Sequence, residues 1–252
     1  MVRTSTVPAG NIALLIDADN ASPDALDPVL TVLAELGTVN VRRAYGNWSK
    51  PQLKRWSDMT HRHAIEPQQQ FDLTKGKNAT DMKMTIDAMD LLFRGKVDGF
   101  GLMSSDSDFT PLAMRIRQEG LPVYGFGKAT TPEGFRAACT RFIDVDVIAR
   151  AVDPDTADAP AAPDMAAPAS GTPPPAADDA ELLKLLGAAF KASKRDERGF
   201  ASLAEMGQRA GNRSSFDARN YGYARLSSLI EALPQFTTER REGGAMYVKR
   251  VN

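Results

Sequence analysis

The sequence predicts an α/β domain built on a parallel sheet, joined to a small α+β module of the winged-helix kind. Three observations carry this. Short apolar runs alternate with amphipathic helical stretches through residues 1–150. An Ala/Pro/Asp-rich segment, 151–180, then supplies almost nothing to bury. Beyond it, three helical stretches precede a hairpin with Gly243-Gly244 at its turn.

The elements follow in chain order. IALLI (12–16) is a run long enough for a strand buried on both faces, and it stops at Asp17-Ala18-Asp19-Asn20. Ser22-Pro23-Asp24 reads as an N-cap, an N1 proline and a first-turn acid, opening a helix that ends near Gly37. TVNVRRAYG (38–46) is a second strand, Pro51–Thr60 is helical and HAIEPQQ (63–69) is a third strand. Thr80 caps a helix closed by Gly95, whose stripe of Met82, Ile86, Met89 and Phe93 is read as its core face, with Asp87 and Asp90 solvated. VDGFGLMSS (97–105) is a fourth strand. Thr110-Pro111 opens the next helix, and Gly120 stops it before LPVYGF (121–126).

Residues 151–180 contain 11 Ala, 7 Pro and 6 Asp, so they are expected to be a disordered linker between domains 1–150 and 181–252. In the tail, Leu182, Leu183, Leu186, Ala189 and Phe190 share one helical stripe. Ser202 caps a second helix, and Tyr223–Leu233 suits a third. The net charge of −1 hides an asymmetry: residues 181–252 carry 13 Lys+Arg against 8 Asp+Glu. A basic module tethered to a neutral domain points to a polyanionic partner. Cys139 is alone, so no intramolecular disulfide and no cysteine-based zinc cluster can form, and two histidines, His61 and His63, argue against a histidine-rich metal site. Neither a leader-like apolar segment nor a membrane-length run is present, and a cytoplasmic protein without a membrane partner is expected.

Asp17 and Asp106 each fall just past a strand end, where open α/β sheets bind ligands. With the first and fourth strands adjacent, the two face one another across the topological switch point. Asp81 starts the helix leading into the fourth strand and approaches the same crevice, and Asp108 adjoins Asp106. Each acid alone has a capping or turn explanation. Together they suit a hard divalent cation held by oxygen, Mg²⁺ or Mn²⁺. Such an ion activates water against a phosphodiester.

With those residues placed, the first 148 or so resemble the NYN domains of the PIN-like nuclease superfamily. The resemblance is carried by LIDADN (15–20), KGKNATDMKMTIDAMDLL (75–92), SSDSDFTPLAMRIRQEG (104–120) and AACTRFIDV (137–145). It implies a Rossmann-like three-layer domain of strand order 3-2-1-4-5 and Mg²⁺- or Mn²⁺-dependent RNA cleavage. The implied metal-site acids are Asp17, Asp81 and Asp106, with Asn20 as polar companion and Asp108 adjoining; Asp19 is outside the pattern. Residues 181–250 resemble a LOTUS (OST-HTH) domain through FASLAEMG (200–207) and FDARNYGYARLSSLIEAL (216–233). That resemblance implies binding of single-stranded or structured RNA, while some members bind protein partners instead.

Candidate RNA contacts are Lys75, Lys77 and Asn78 before the Asp81 helix, Trp48 on the rim, and Lys194, Arg213, Arg219 and Arg225 in the tail. Two other readings stand beside this one. Asp17-Ala18-Asp19 mimics the nucleophile pair of a haloacid-dehalogenase-type phosphatase, with Lys128 as its lysine, but Asp81 and Asp108 are then unexplained. The chain could also be a non-catalytic RNA-binding regulator or adaptor.

Overall fold

The computed structural model describes residues 10–71, 79–152, 179–241 and 244–251. The chain divides into two compact units, Met1–Ala149 and Arg150–Asn252.

The first unit is a parallel sheet of β1 (Asn11–Asp17), β2 (Thr38–Gly46), β3 (Glu66–Gln69), β4 (Gly99–Met103), β5 (Val123–Gly127) and β6 (Arg141–Asp144). Their order is β3-β2-β1-β4-β5-β6. The expected 3-2-1-4-5 arrangement is present, and β6 extends it through RFID, a run too short to announce itself. On one face lie α1 (Leu26–Leu36), α2 (Lys54–Arg62) and α6 (Val145–Val152), packed on Ile12, Leu14 and Ile16 of β1. On the other lie α3 (Ala79–Phe93), α4 (Thr110–Gln118) and α5 (Glu133–Ala138), packed on Ala13 and Leu15. Alternate side chains of β1 are thus buried on opposite faces, which is why its sequence is continuously apolar.

Local signals place the connections. Ser22 Oγ accepts the Asp24 N–H and caps a single 3₁₀ turn, Pro23–Ala25, that runs into α1. The third strand is shorter than expected, although Ile65 just before it is buried. Thr80 does not cap α3. It lies inside the first turn, and its hydroxyl donates to Asp19 Oδ2 at 3.1 Å.

The face of α3 is the reverse of the sequence expectation. Met84, Ala88, Leu91 and Leu92 are buried, whereas Met82, Ile86 and Phe93 are more than half exposed. Asp87, expected in solvent, is 6% exposed. It accepts hydrogen bonds from Tyr45 Oη (3.2 Å) and Lys83 Nζ (2.6 Å), with Arg43 Nη1 at 3.6 Å. Asp90 is exposed as expected. The Phe93 ring lies 5.7 Å below the Arg115 guanidinium of α4, so this apolar stripe runs beside the α3–α4 groove.

Most of the expected linker, 153–178, lies outside the described residues. At its ends, α6 reaches Val152 and the Asp179 side chain caps α7 (Ala180–Ala192) by accepting the Leu182 N–H at 2.9 Å.

The second unit continues with β7 (Ala201–Ser202), α8 (Leu203–Gly211), α9 (Leu226–Glu231), β8 (Phe236–Arg240) and β9 (Met246–Arg250). The three strands form an antiparallel sheet of order β7-β9-β8. Leu186, Ala189, Met206, Ala210, Leu229, Ile230 and Val248 are fully enclosed in its core. The third helix is shorter than expected: Gly222 ends the preceding 3₁₀ turn at φ +82, and Arg225, in extended conformation, is the N-cap of α9. The Gly243 half of the hairpin turn lies outside the described residues; Gly244 adopts φ +80. No described helix is long and apolar enough to cross a membrane.

Candidate active site

The site begins where β1 ends. Asp17 pairs in register with Tyr45 of β2, and its neighbour Ile16 pairs with Met103 of β4, so Asp17 sits at the switch point between the two halves of the sheet. Its side chain is fully buried. Oδ2 accepts from Asn20 Nδ2 at 2.9 Å and from Ser104 Oγ at 2.8 Å. Oδ1 is buried without a hydrogen-bond partner among the described residues. Burial raises the Asp17 pKa; the Asn20 and Ser104 hydrogen bonds oppose that, and the charges of Asp19 and Asp106 add to it.

Ser104 is the residue sequence reasoning missed. While donating to Asp17, its hydroxyl accepts the Asp106 N–H at 3.0 Å. Asp106 in turn caps the 3₁₀ turn Ser107–Phe109, its Oδ1 accepting the Asp108 N–H at 2.9 Å. Asp19, outside the pattern the resemblance implies, also bears on the site. It ties the β1 turn to the first turn of α3 through Thr80 and pairs with Lys50 Nζ at 3.6 Å. That contact brings Asp81 over the strand ends. The only signal for either residue was its closeness in sequence to an already chosen acid.

Asp81, Asp106 and Asp108 each present a carboxylate oxygen such that all three lie within 4.8 Å of one another. Asp81 is pushed up to about 6, first by burial, then by the charges of Asp17, Asp106, Asp108 and Asp19. Asp17 lies outside that close trio yet is the largest single charge acting on Asp81. Three crowded carboxylates, with the unpartnered Asp17 oxygen near enough to act on Asp81, fit a divalent cation bound by oxygen, with no histidine or cysteine among them. Of the acids expected at the metal, the structure therefore brings three together and leaves the fourth, Asp17, outside that close group. Asn20 stands beside Asp17 as expected.

The raised Asp81 value has a stability consequence in metal-free protein. A folded pKa above the unfolded 3.8 means a contribution that is full at low pH and lost as pH rises through about 6. In EDTA, Asp81→Asn is therefore expected to raise the melting temperature at pH 7.5 by about 2 °C. The same substitution should gain little at about pH 3, below the unfolded value, where the carboxyl is protonated in both states. A lower melting temperature for the variant at pH 7.5 would contradict this electrostatic account.

The candidate RNA contacts are placed unevenly. Lys75, Lys77 and Asn78 lie outside the described residues. Trp48 is half-buried across the end of the sheet, its indole N–H donating to the Gln68 carbonyl at 3.0 Å. Lys194, Arg213 and Arg225 are exposed. Arg219 is folded onto buried Asp217, with 3.1 Å to each carboxylate oxygen, and helps hold the turn before α9. A basic-aromatic cluster absent from the sequence reading lies around β9. The Arg241 guanidinium is 3.9 Å from the Tyr247 ring centroid and 5.5 Å from that of Phe200, and Lys249 lies over Phe200 at 5.7 Å.

A parallel α/β sheet with carboxylates gathered past its central strands, followed by a helix-and-wing unit, is the plan of a nuclease-type domain carrying a nucleic-acid-binding module. The chain belongs to the NYN domain family, whose model matches residues 11–146, and an OST-HTH/LOTUS domain follows over 175–248. NYN domains are part of the PIN-like nuclease superfamily. The chain is similar to an uncharacterized protein of Methanocaldococcus jannaschii, 28% identical over 137 residues covering 53% of this chain. The match covers 52% of that protein, so the chain spans about half the length of this relative. Among solved structures it is similar to a protein of unknown function from Vibrio parahaemolyticus, with 19% identity and a TM-score of 0.46 over 57% of this chain and 97% of the other.

Proposed function

We propose that the chain is a divalent-metal-dependent ribonuclease that hydrolyses RNA phosphodiesters at the Asp17/Asp81/Asp106/Asp108 cluster, while residues 181–252 capture the RNA. The observation that carries this reading is the trio of carboxylates within 4.8 Å, with the unpartnered Asp17 oxygen buried nearby. Asp81, Asp106 and Asp108 would hold Mg²⁺ or Mn²⁺, with Asp17 supporting them. Bound there, such an ion supplies an activated water and neutralises charge on the phosphoryl oxygens. Asn20 and Ser104 keep Asp17 in one orientation, and Ser104 also fixes the backbone of Asp106. Lys50, held by Asp19, places a positive charge beside the strand ends for a substrate phosphate. Lys75, Lys77, Asn78 and Trp48 are the further contacts assigned to this unit. Lys194, Arg213 and Arg225, with Arg219 behind them, are assigned to the capture domain.

The direct test is incubation of the full chain with end-labelled single-stranded and hairpin RNA, and matched DNA, in Mg²⁺, Mn²⁺ or EDTA. Metal-dependent products from RNA support the reading. RNA retention without cleavage in either metal moves the chain to a non-catalytic binding role.

Capture and cleavage are assigned to separate units, so removing residues 181–252 is expected to raise KM for RNA about tenfold or more. The kcat on saturating RNA should change by less than about threefold. An equal fall in kcat would show that the tail acts at the cleavage step rather than in capture.

A further inference from the structure

A cavity of about 220 Å³ lies between the β1 turn, the ends of β4 and β5 and the start of α6. Its apolar lining is Ala25, Met103, Phe126 and Val145, all buried. Its rim carries Lys128, Asp146 and Asp24, the last neutralised by its ion pair with Arg55. Asn20 and Ser104 also line it, and these two hold Asp17 from the other side. One layer of side chains therefore separates the cavity from the carboxylates.

The cavity is smaller than the roughly 300–1,000 Å³ that encloses a drug-sized ligand, and matches a single flat ring system. Buried apolar walls with a thioether suit the faces of a ring, and polar groups at the mouth suit its hydrogen-bonding edge. Lys128 follows the last residue of β5, where its backbone N–H donates to Ser105 Oγ at 3.0 Å. Its exposed ammonium has no ion-pair partner among the described residues. Gly127 makes the arrangement feasible: a Cβ there would lie 2.7 Å from the Ser104 carbonyl oxygen and from Thr131 Oγ1, forcing β5 away from the site.

We propose that this cavity is a nucleotide subsite, seating the base of an RNA residue that flanks the scissile phosphate while Lys128 meets that residue's own phosphate. The proposal rests on the ribonuclease reading for its substrate, but binding at the cavity is measurable without cleavage. Asp146 accepts from N–H groups on the base edge, and the buried walls exclude water from its faces.

The test uses the full chain in EDTA with AMP, GMP, CMP and UMP as probes, followed by saturation-transfer NMR, with ribose 5-phosphate as control. Lys128→Ala removes the phosphate contact, and Ala149→Leu, on the cavity wall, fills the space. Millimolar binding of at least one nucleotide is expected, with ribose 5-phosphate weaker and either variant weakening it at least fivefold. Lys128 is exposed, so its variant carries the test if Ala149→Leu fails to fold. The same variants should flatten the nucleotide preference next to the cut in metal-dependent cleavage of a randomised RNA. Absence of nucleotide binding, binding that both variants leave unchanged, or an equal response to ribose 5-phosphate overturns the subsite. Binding lost in the variants with an unaltered cleavage preference makes the cavity a site for free nucleotides and also overturns it. Failure of the ribonuclease reading is separate: it shows as no cleavage by the unmodified chain in any metal, whatever the NMR result.

Discussion

Asp106→Asn is expected to lower RNA cleavage by about 10²–10³-fold in Mg²⁺ or Mn²⁺ while leaving RNA retention intact. The substitution isolates charge from structure. Asp106 caps the turn before α4 with Oδ1, and asparagine offers the same acceptor to the Asp108 N–H. The bond to Ser104 comes from the Asp106 backbone and survives as well. What disappears is one negative oxygen from a trio drawn within 4.8 Å. Gel-based cleavage and filter retention on the same preparation check both halves, with the melting temperature as a control for folding. Undiminished cleavage by the variant would place the chemistry elsewhere or reveal a contaminating nuclease.

The largest effect on stability is expected at Asp87. Replacing it with alanine leaves the buried Tyr45 hydroxyl without its acceptor and takes the counter-charge from Lys83 and Arg43. Loss of one partner in such a buried cluster costs about 2–4 kcal/mol. In a domain of this size that is a fall of about 5–12 °C in melting temperature. Asp87→Asn keeps an acceptor for Tyr45 and should lose less. Tyr45→Phe combined with Asp87→Ala should then be less than additive. A loss below about 0.5 kcal/mol for Asp87→Ala would mean that the carboxylate is solvated, as the helix pattern alone suggests.

The contrast at α3 shows where sequence reasoning stops. Met82, Ile86, Met89 and Phe93 form a good helical stripe, and so do Met84, Ala88, Leu91 and Leu92. Hydrophobic period alone does not choose between two apolar faces on one helix. The choice is made by the sheet, where Tyr45 and Arg43 offer partners to Asp87 and so make a face with a carboxylate the one to bury. The clustered acids were legible for the opposite reason. Asp17 ends β1 and Asp106 lies just past β4, both runs have sharp apolar boundaries, and a parallel sheet brings such ends to one edge.

The sequence by itself determined the α/β class and the helix-and-wing tail, through local periodicity and turn chemistry. The strand order from the first to the fifth strand came from the resemblance to NYN domains, which also joined Asp17, Asp81, Asp106 and Asp108 into one set. Only the tertiary structure decided which face of α3 is buried, that Asp17 lies outside the close trio, and that Ser104 joins Asp17 to Asp106. The contacts that settle the first and the last, Tyr45 to Asp87 and Ser104 to Asp17, join residues 42 and 87 positions apart, and local pattern carries no information about which distant partner will be present.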